Sequence, residues 1–441
     1  MNRLRQLLGD ERGVALVLAL MVLLTLTGLV LAFLSVSAFE PQISRNHSDT
    51  VRARYVAEAG LEYAFATLAT NISSWDTYLA GATCTTGAVL GTASSTLPGL
   101  TSANGTFTVR VRNDCNSGDN KLTGVTVEAS ANATTDTNNK LVVTSTAAAG
   151  NTTRTITLVI SKVVLTPPGS LSFPGVQSDV NFSGSAFVID GRDHRMTDSP
   201  GSPTGTASAL YGISVNPDLP ILETQVELAL AANQQNDVRG RDETSATNPP
   251  GTTSGANTVE GYATMTSQAV TDYVAALKAH ADISITSSPS SPYSIASIGS
   301  TCSTDVTSAT CWGTTSQPKI VYVRGDLPDL TTQFTALGIS GTSEGTGILI
   351  VENGNVEISG GFRWNGPIIV TGNNVGVRYR GGGGQAVYGA IVVNELHADG
   401  GTNLEGDITG NASLLYSSEA LTLVQDALSR RFVSMSSWSE Q

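Results

Sequence analysis

Charge is scarce in this chain. Asp, Glu, Lys and Arg make up 14% of its 441 residues, and 37 acidic side chains outnumber 24 basic ones, for a formal net charge of -13. Nucleic-acid binding depends on clustered basic groups that neutralise phosphates, so this balance speaks against such a partner. Histidine is equally rare: His47, His194, His280 and His397 lie scattered, with no spacing that would gather a metal ion, and neither metal nor cofactor is expected. Only four cysteines occur, and none forms a C-x-x-C, which argues against zinc or dithiol redox chemistry. Four cysteines allow three connectivities. Pairing of neighbours, Cys84 with Cys115 and Cys302 with Cys311, is the simplest. By loop entropy the longer loop would contribute about 3 to 4 kcal/mol and the shorter slightly under about 3 kcal/mol. Structural bridges of this kind belong in an oxidising compartment.

Glycine, by contrast, is abundant at 45 residues, Ser and Thr are plentiful, and 40% of the chain is hydrophobic. That composition suits a β-rich protein with many turns and real cores, in a chain long enough for two domains. One stretch departs from it. Residues 14–34, VALVLALMVLLTLTGLVLAFL, are 21 positions without a charge. As a helix they span roughly 32 Å, the thickness of a bilayer's hydrocarbon core. Directly before them stands a charged leader, MNRLRQLLGDERG, ending on Gly13. Charge does not orient the segment, because Arg3, Arg5 and Arg12 on one side balance Arg45, Arg52 and Arg54 on the other. The cysteines break that tie and put the bulk of the chain outside the cytoplasm.

A charged leader ending in Gly and followed at once by about 20 uncharged helical residues resembles the class III leader of type IV pilins and type II secretion pseudopilins. The stretch 12–63, with YVAEAGLEYA at 55–64, is most similar to the PilX-type minor pilins. The resemblance implies cleavage by a membrane-embedded prepilin peptidase between Gly13 and Val14, with methylation of the new amino terminus. Most pilins carry Glu at the fifth mature position, where this chain has Leu18. PilX-type and GspK-type minor subunits commonly lack that acid too, so a main-shaft role is not implied. The expected partners are other minor and major pilins, the prepilin peptidase and the inner-membrane pilus assembly machinery. The expected location is a single-pass inner membrane protein with a periplasmic head before assembly, and the pilus or cell surface after it. Two plainer readings compete: a secretory signal cut after Ala38, and an uncleaved single-pass anchor. The first is disfavoured because signal peptides have shorter apolar cores and lack acidic leader residues such as Asp10 and Glu11.

Beyond residue 34 helical periodicity continues. Ala57, Leu61, Ala64, Phe65 and Leu68 recur on one face while Arg52, Glu58 and Glu62 mark the other. Pro41 should kink or break this helix, and Gly60 should weaken it by about 1 kcal/mol relative to Ala. The expected organisation is a leader over 1–13, a transmembrane and amphipathic helix over 14–71, an antiparallel β domain over 72–166, and a β-rich head over 169–441. In the first β domain alternation with period two predicts strands around 107–111, 125–128 and 156–161. Pro167, Pro168 and Gly169 mark the boundary. Helical stretches are expected at 221–232 and 264–280, within an insertion spanning 216–281, separated by an exposed loop at 241–257. From residue 320 on, short apolar runs begin at Ile320, Ile348, Ile368 and Ala390, the last three starts 20 and 22 residues apart. Such spacing approaches one coil of a β-solenoid, with a β-sandwich as the alternative, and continuous apolar runs suit strands buried on both faces. A final amphipathic helix should present Leu421, Val424 and Leu428. The fold class is therefore α+β, mostly β.

Motifs for chemistry are weak. GTSEG at 341–345 fits G-x-S-x-G, but a strand-like run follows where a hydrolase elbow needs a helix. Asp190, Asp193 and Asp198 could offer carboxylates to calcium, yet their spacing does not fit the twelve-residue loop, and a solvated turn is the simpler expectation. The RGD at 324–326 sits just past a strand-like run, where ordinary turn chemistry accounts for it. No catalytic role is expected. The sequence thus points to a minor pilin-like subunit that primes filament assembly and carries a large tip-proximal head suited to adhesion. The alternative is a membrane-anchored periplasmic or surface binding protein, an adhesin, that never enters a filament.

Overall fold

Leu, Val and Ala dominate residues 14–34, and the next thirty-odd positions keep a one-face apolar period, so nothing in the sequence ends a helix once it has begun. In the computed structural model, which describes residues 11–93, 104–184, 186–241, 259–261, 265–326, 333–398 and 403–440, helix α1 runs unbroken over Glu11–Thr70. The first ten leader residues and nearly all of the expected loop at 241–257 lie outside the described residues. Pro41 stands inside α1 without breaking it, contrary to expectation. Its missing amide removes one hydrogen bond, and the exposed surroundings leave the freed carbonyl without a burial penalty. Ala53, Val56, Ala57, Leu61, Ala64 and Leu68 form the buried stripe, with Phe65 half-buried beside it. Gly60 has a packing reason: a β-carbon there would stand 2.4 Å from Ser145 Oγ and 3.0 Å from the Phe107 ring. The weak helix former is what lets the helix close onto the sheet.

That sheet has five strands. β1 (Ala88–Thr92), β2 (Thr106–Asn113), β3 (Lys140–Ala149) and β4 (Thr152–Lys162) follow in order, and the C-terminal strand Val433–Glu440 completes it beside β4. β1 with β2, and β2 with β3, pair antiparallel. The turn between β3 and β4 is made at Gly150, φ 56°. Phe107, Val109 and Val111 on β2, and Ile156, Leu158 and Ile160 on β4, are buried as the alternation predicted. The Cys84–Cys115 bridge ties the segment before β1 to the residues just after β2. The expected strand at 125–128 does not form. There the Glu128 carboxylate takes the place of a ladder partner, accepting from the Thr137 and Asn138 amides, both at 2.8 Å, and from the Asn113 and Asn132 side chains. The chain divides into two compact units, and the division is not serial. The first takes residues up to Thr67, Asp76–Ile160 and the C-terminal residues from Met435, whereas Leu68–Trp75 and Ser161–Ser434 form the second.

In the second unit the named strands pair in parallel. β5 (Gly169–Phe173), β6 (Val180–Ser183), β7 (Val188–Asp190), β8 (Tyr211–Val215), β9 (Val238–Arg239) and β10 (Val259–Gly261) precede β11 (Ile283–Ser287) and β12 (Tyr293–Ala296). Then come β13 (Lys319–Gly325), β14 (Thr335–Ser340), β15 (Ser343–Glu352), β16 (Asn355–Ser359), β17 (Phe362–Gly372), β18 (Val377–Arg380), β19 (Gln385–Glu395), β20 (Gly406–Thr409) and β21 (Ala412–Tyr416). One sheet has the path β10-β8-β5-β19-β17-β15-β13-β11, with β21, β7 and β9 continuing from β19, and the other runs β12-β14-β16-β18-β20-β6. Register aligns the apolar side chains into rows. Ile283, Val321, Leu349, Ile368, Ile391, Leu171 and Ile213 stand side by side across the first sheet, and Ile295, Ile339, Ile358, Tyr379, Ile408 and Phe182 across the second. Both rows contribute to one core.

The apolar runs at 348–351 and 368–370 are buried at every residue, as strands covered on both faces require. Outer cover comes from α3 (Ser267–Lys278), which packs on β13, and α4 (Ser418–Ala427), which packs on β17 and β19; α2 (Ile221–Ala229) lies on β6 and β8. The span 216–281 therefore holds β9 and β10 besides its two helices. Ala269, expected on the buried face of α3, is exposed, while Val270, Tyr273, Val274 and Leu277 are buried. The second bridge, Cys302–Cys311, closes a loop between β12 and β13.

Three glycines on neighbouring strands fix the packing of the backbone. Gly347, Gly366 and Gly389 have φ of 143°, 127° and 144°, and a β-carbon on Gly366 would lie 2.1 Å from the Gly347 carbonyl oxygen. Gly366→Ala should lower stability by about 2 to 4 kcal/mol, from backbone strain and the clash together. Gly384→Ala, where a β-carbon meets nothing within 4 Å, should be near neutral. Urea unfolding midpoints of the two variants in detergent check this pair.

Candidate membrane-spanning and assembly segment

The first part of α1 is covered by nothing among the described residues. Every described side chain over 14–37 is exposed, Val14 at 64% and Leu18 at 59%, in a helix whose apolar window has a mean hydropathy of 2.8. By length and composition this is one helix able to cross a bilayer. Three of its polar side chains are satisfied within the helix, as a hydrocarbon environment demands. Thr25 Oγ1 donates to the Val22 carbonyl at 2.9 Å, Ser35 Oγ to Ala32 at 2.9 Å, and Thr27 Oγ1 to the Leu23 carbonyl. Gly13 and Val14 both lie within the helix, so the bond between them is part of α1. Leu18 falls with Ala15, Ala19, Val22 and Leu26 on one shallow apolar stripe. The two cysteine pairs formed as the simplest pairing anticipates, and each staples its own compact unit.

Where α1 lies on the five-stranded sheet its charges pair locally. Arg54 Nε stands 3.0 Å from Glu58 and 3.7 Å from Glu440, and its guanidinium lies over the Trp438 ring at 5.7 Å. Such exposed pairs contribute a few tenths of a kcal/mol at most, about 0.3–0.5 for an i,i+4 pair. They nonetheless bring the C-terminal strand to the helix. Sequence reasoning missed that strand, because VSMSSWSE carries only Val433, Met435 and Trp438 as apolar signals and its burial is partial.

The sequence motifs of the second unit are absorbed by structure. Ser343 of GTSEG begins β15, donating to the Ser340 carbonyl at 3.0 Å and accepting from the Ile298 amide at 3.0 Å. Arg324 and Gly325 of the RGD end β13 and Asp326 follows it; Arg324 pairs in register with Glu352, and a β-carbon on Gly325 would strike the Asn353 carbonyl. The stretch with Asp190, Asp193 and Asp198 is not the solvated turn expected, because Asp190, Asp193 and His194 are buried. Asp190 is approached by His194 Nε2 at 3.0 Å and Arg192 Nη2 at 2.7 Å. Burial would raise its carboxyl, but these hydrogen bonds and the neighbouring positive charge outweigh it and hold the group at about 2. Asp193 accepts from the Ala207 and Ser418 amides, both at 2.9 Å, and Asp198 from the Arg195 and Thr204 amides. These carboxylates tie loops together, and among the described residues no group of His, Cys, Asp or Glu could hold a metal ion. His47 and His280 are exposed and His397 is half-buried.

One buried acid has the opposite balance. Glu405 is fully buried, its Oε2 accepts from the Asp179 amide at 2.6 Å, and its Oε1 has no partner. Burial, with added repulsion from Asp179 and Glu395, pushes its carboxyl up to about 9. A folded-state value above the unfolded one favours folding in full below the unfolded range near 4.5, and that contribution is lost as pH rises through about 9. Glu405→Gln should therefore raise stability at pH 8 to 9 by about 1 to 3 kcal/mol and change little at pH 4. Thermal melts of both proteins across that range check it.

No protein-family model, curated protein or solved structure matches this chain.

Proposed function

We propose that this chain is a minor pilin-like structural subunit, anchored by α1 before assembly and carried at or near the tip of a type IV pilus or related secretion filament. The observation that carries the reading is α1 itself. Its apolar half is uncovered, and its amphipathic half packs by a stripe of small residues on an antiparallel sheet. In this reading the leader is cytoplasmic, a prepilin peptidase cuts between Gly13 and Val14, and both disulfide-bearing units lie in an oxidising space, first periplasmic and then at the surface. The partners are other minor and major pilins and the inner-membrane assembly machinery. The aligned apolar rows of the second unit support reading it as a β-solenoid rather than a sandwich, since side chains stack coil on coil in parallel register.

Position in the filament follows from Leu18. An acid in an apolar core is tolerable only when paired, as with a neighbour's free amino terminus. Leu18 cannot make that pair, so this subunit gains nothing from a neighbour beyond it and suits a filament end. The same residue also favours a second reading, a static membrane-anchored adhesin, because a leucine at that place is an ordinary lipid-facing side chain.

Two measurements decide between them. Mass spectrometry of the amino-terminal peptide should find a chain starting at Val14. An intact Met1 would mean a plain anchor and a start at Phe39 an ordinary secretory signal, and either defeats the pilin reading. Immunogold labelling against the region after Pro168 should mark filament tips sparsely. Uniform decoration, or complete absence from filaments, would sink the tip assignment.

A further inference from the structure

A groove of about 610 Å³ opens on the second unit across the first residues of four consecutive parallel strands. Ser343, Phe362, Gln385 and Ala412 are register partners on β15, β17, β19 and β21, so the groove crosses about 14 Å of sheet at about 4.8 Å per strand. Its volume lies in the range of small-molecule sites. Glycines on its wall mark it as room held open rather than a packing defect. Gly361 and Gly384 line it, and a β-carbon on Gly384 would meet no atom within 4 Å, on Gly361 none closer than 3.9 Å. Gln385, 1% exposed, closes its floor and is held there by Nε2, which donates to the Ile358 and Arg380 carbonyls.

The remaining lining defines the ligand. Glu344 and Arg363 stand 3.6 Å apart and cancel in charge, which favours a neutral ligand over a phosphate or a polycation. Arg363 is held over the Tyr388 ring at 4.8 Å and donates to the Met196 carbonyl, so its guanidinium is positioned in advance. Asn411 adds an amide, and Val188, Pro200 and Ala386 add apolar surface. An extended peptide is disfavoured, because β15, β17 and β19 are each hydrogen-bonded on both edges and offer no free ladder for strand addition. A carboxylate, a guanidinium and an amide beside apolar wall, with no net charge, match the paired hydroxyls and C–H faces of a sugar.

We infer that this groove binds a neutral saccharide. The inference goes beyond the function proposed above and rests on it only for where the head is displayed. The test uses the full chain in detergent micelles against a panel of immobilised neutral oligosaccharides, with acidic oligosaccharides and short peptides printed beside them. At least one neutral oligosaccharide should bind, and Gly384→Leu and Glu344→Ala should weaken that binding tenfold or more while thermal unfolding stays unchanged. Gln268→Ala, an exposed position on α3, whose first residue meets β19 at Asn394, the end of that strand opposite the groove, should leave it intact. Failure of every neutral oligosaccharide to bind, binding that survives Gly384→Leu, or capture of the acidic sugars or peptides instead would overturn the proposal. A chain that starts at Val14 and labels filament tips but binds no sugar sinks only this inference. One that binds sugar with Met1 intact sinks only the filament.

Discussion

A buried or lipid-bathed peptide group must find its hydrogen bond within the protein, and this chain meets that demand in two ways that divide it. In α1 each residue bonds within the helix, so 60 residues continue through Pro41 with the loss of one donor, and the threonine hydroxyls of the apolar half turn back to their own backbone. In the second unit no strand is self-sufficient. β15, β17 and β19 carry apolar runs buried on both faces, and their amides are satisfied only because the next strand lies in parallel register on each side. The aligned rows of Ile, Leu and Val follow from that register. So does the glycine at the same rung of successive strands, where backbone meets backbone and a side chain has no place.

Much of this was legible from residue patterns. The helix over 14–71, the alternating strands at 107–111 and 156–161, and the buried runs of the head each leave a period or a length that has one physical reading. The failures have reasons too. Val125 and Val127 alternate like a strand, but Glu128 satisfies neighbouring amides with its own carboxylate and removes the need for a ladder. The C-terminal strand went unread because it is half-exposed and serine-rich, and its place in the five-stranded sheet depends on a partner more than 270 residues away. Gly60 looked like a defect and is a contact. Pro41 was overweighted because its cost depends on burial.

The candidate segment was legible in a different sense. Charge stops at Gly13 and an apolar helix begins, which is a statement about solvent and needs no fold. The groove beside Gln385 could not be foreseen, because it is assembled from strand starts about twenty residues apart and exists only after the register is set. Buried carboxylates were equally invisible. Asp190 and Glu405 are both buried carboxylates, yet one is held ionised by His194 and Arg192 while the other is pushed towards its neutral form by burial, with added repulsion from Asp179 and Glu395. Composition treats them alike, and the partners decide.

The uncovered half of α1 limits what the whole chain can do. Burying a Val or Leu side chain is worth about 1.5–3 kcal/mol, so the 16 large apolar side chains exposed over 14–36 amount to tens of kcal/mol that water cannot supply. The helix therefore has only two stable surroundings, lipid tails or the apolar helices of other proteins. In lipid it gains little by meeting another helix through hydrophobicity alone, since tails are as apolar as leucine, and small residues or polar pairs must drive association. Gly28 and the Ala15 and Ala19 pair supply small surfaces, while Leu18 supplies no polar one. Association of this helix must then rest on close packing and on what the rest of the chain contributes. Any partner helix would be held to it by shape more than by charge.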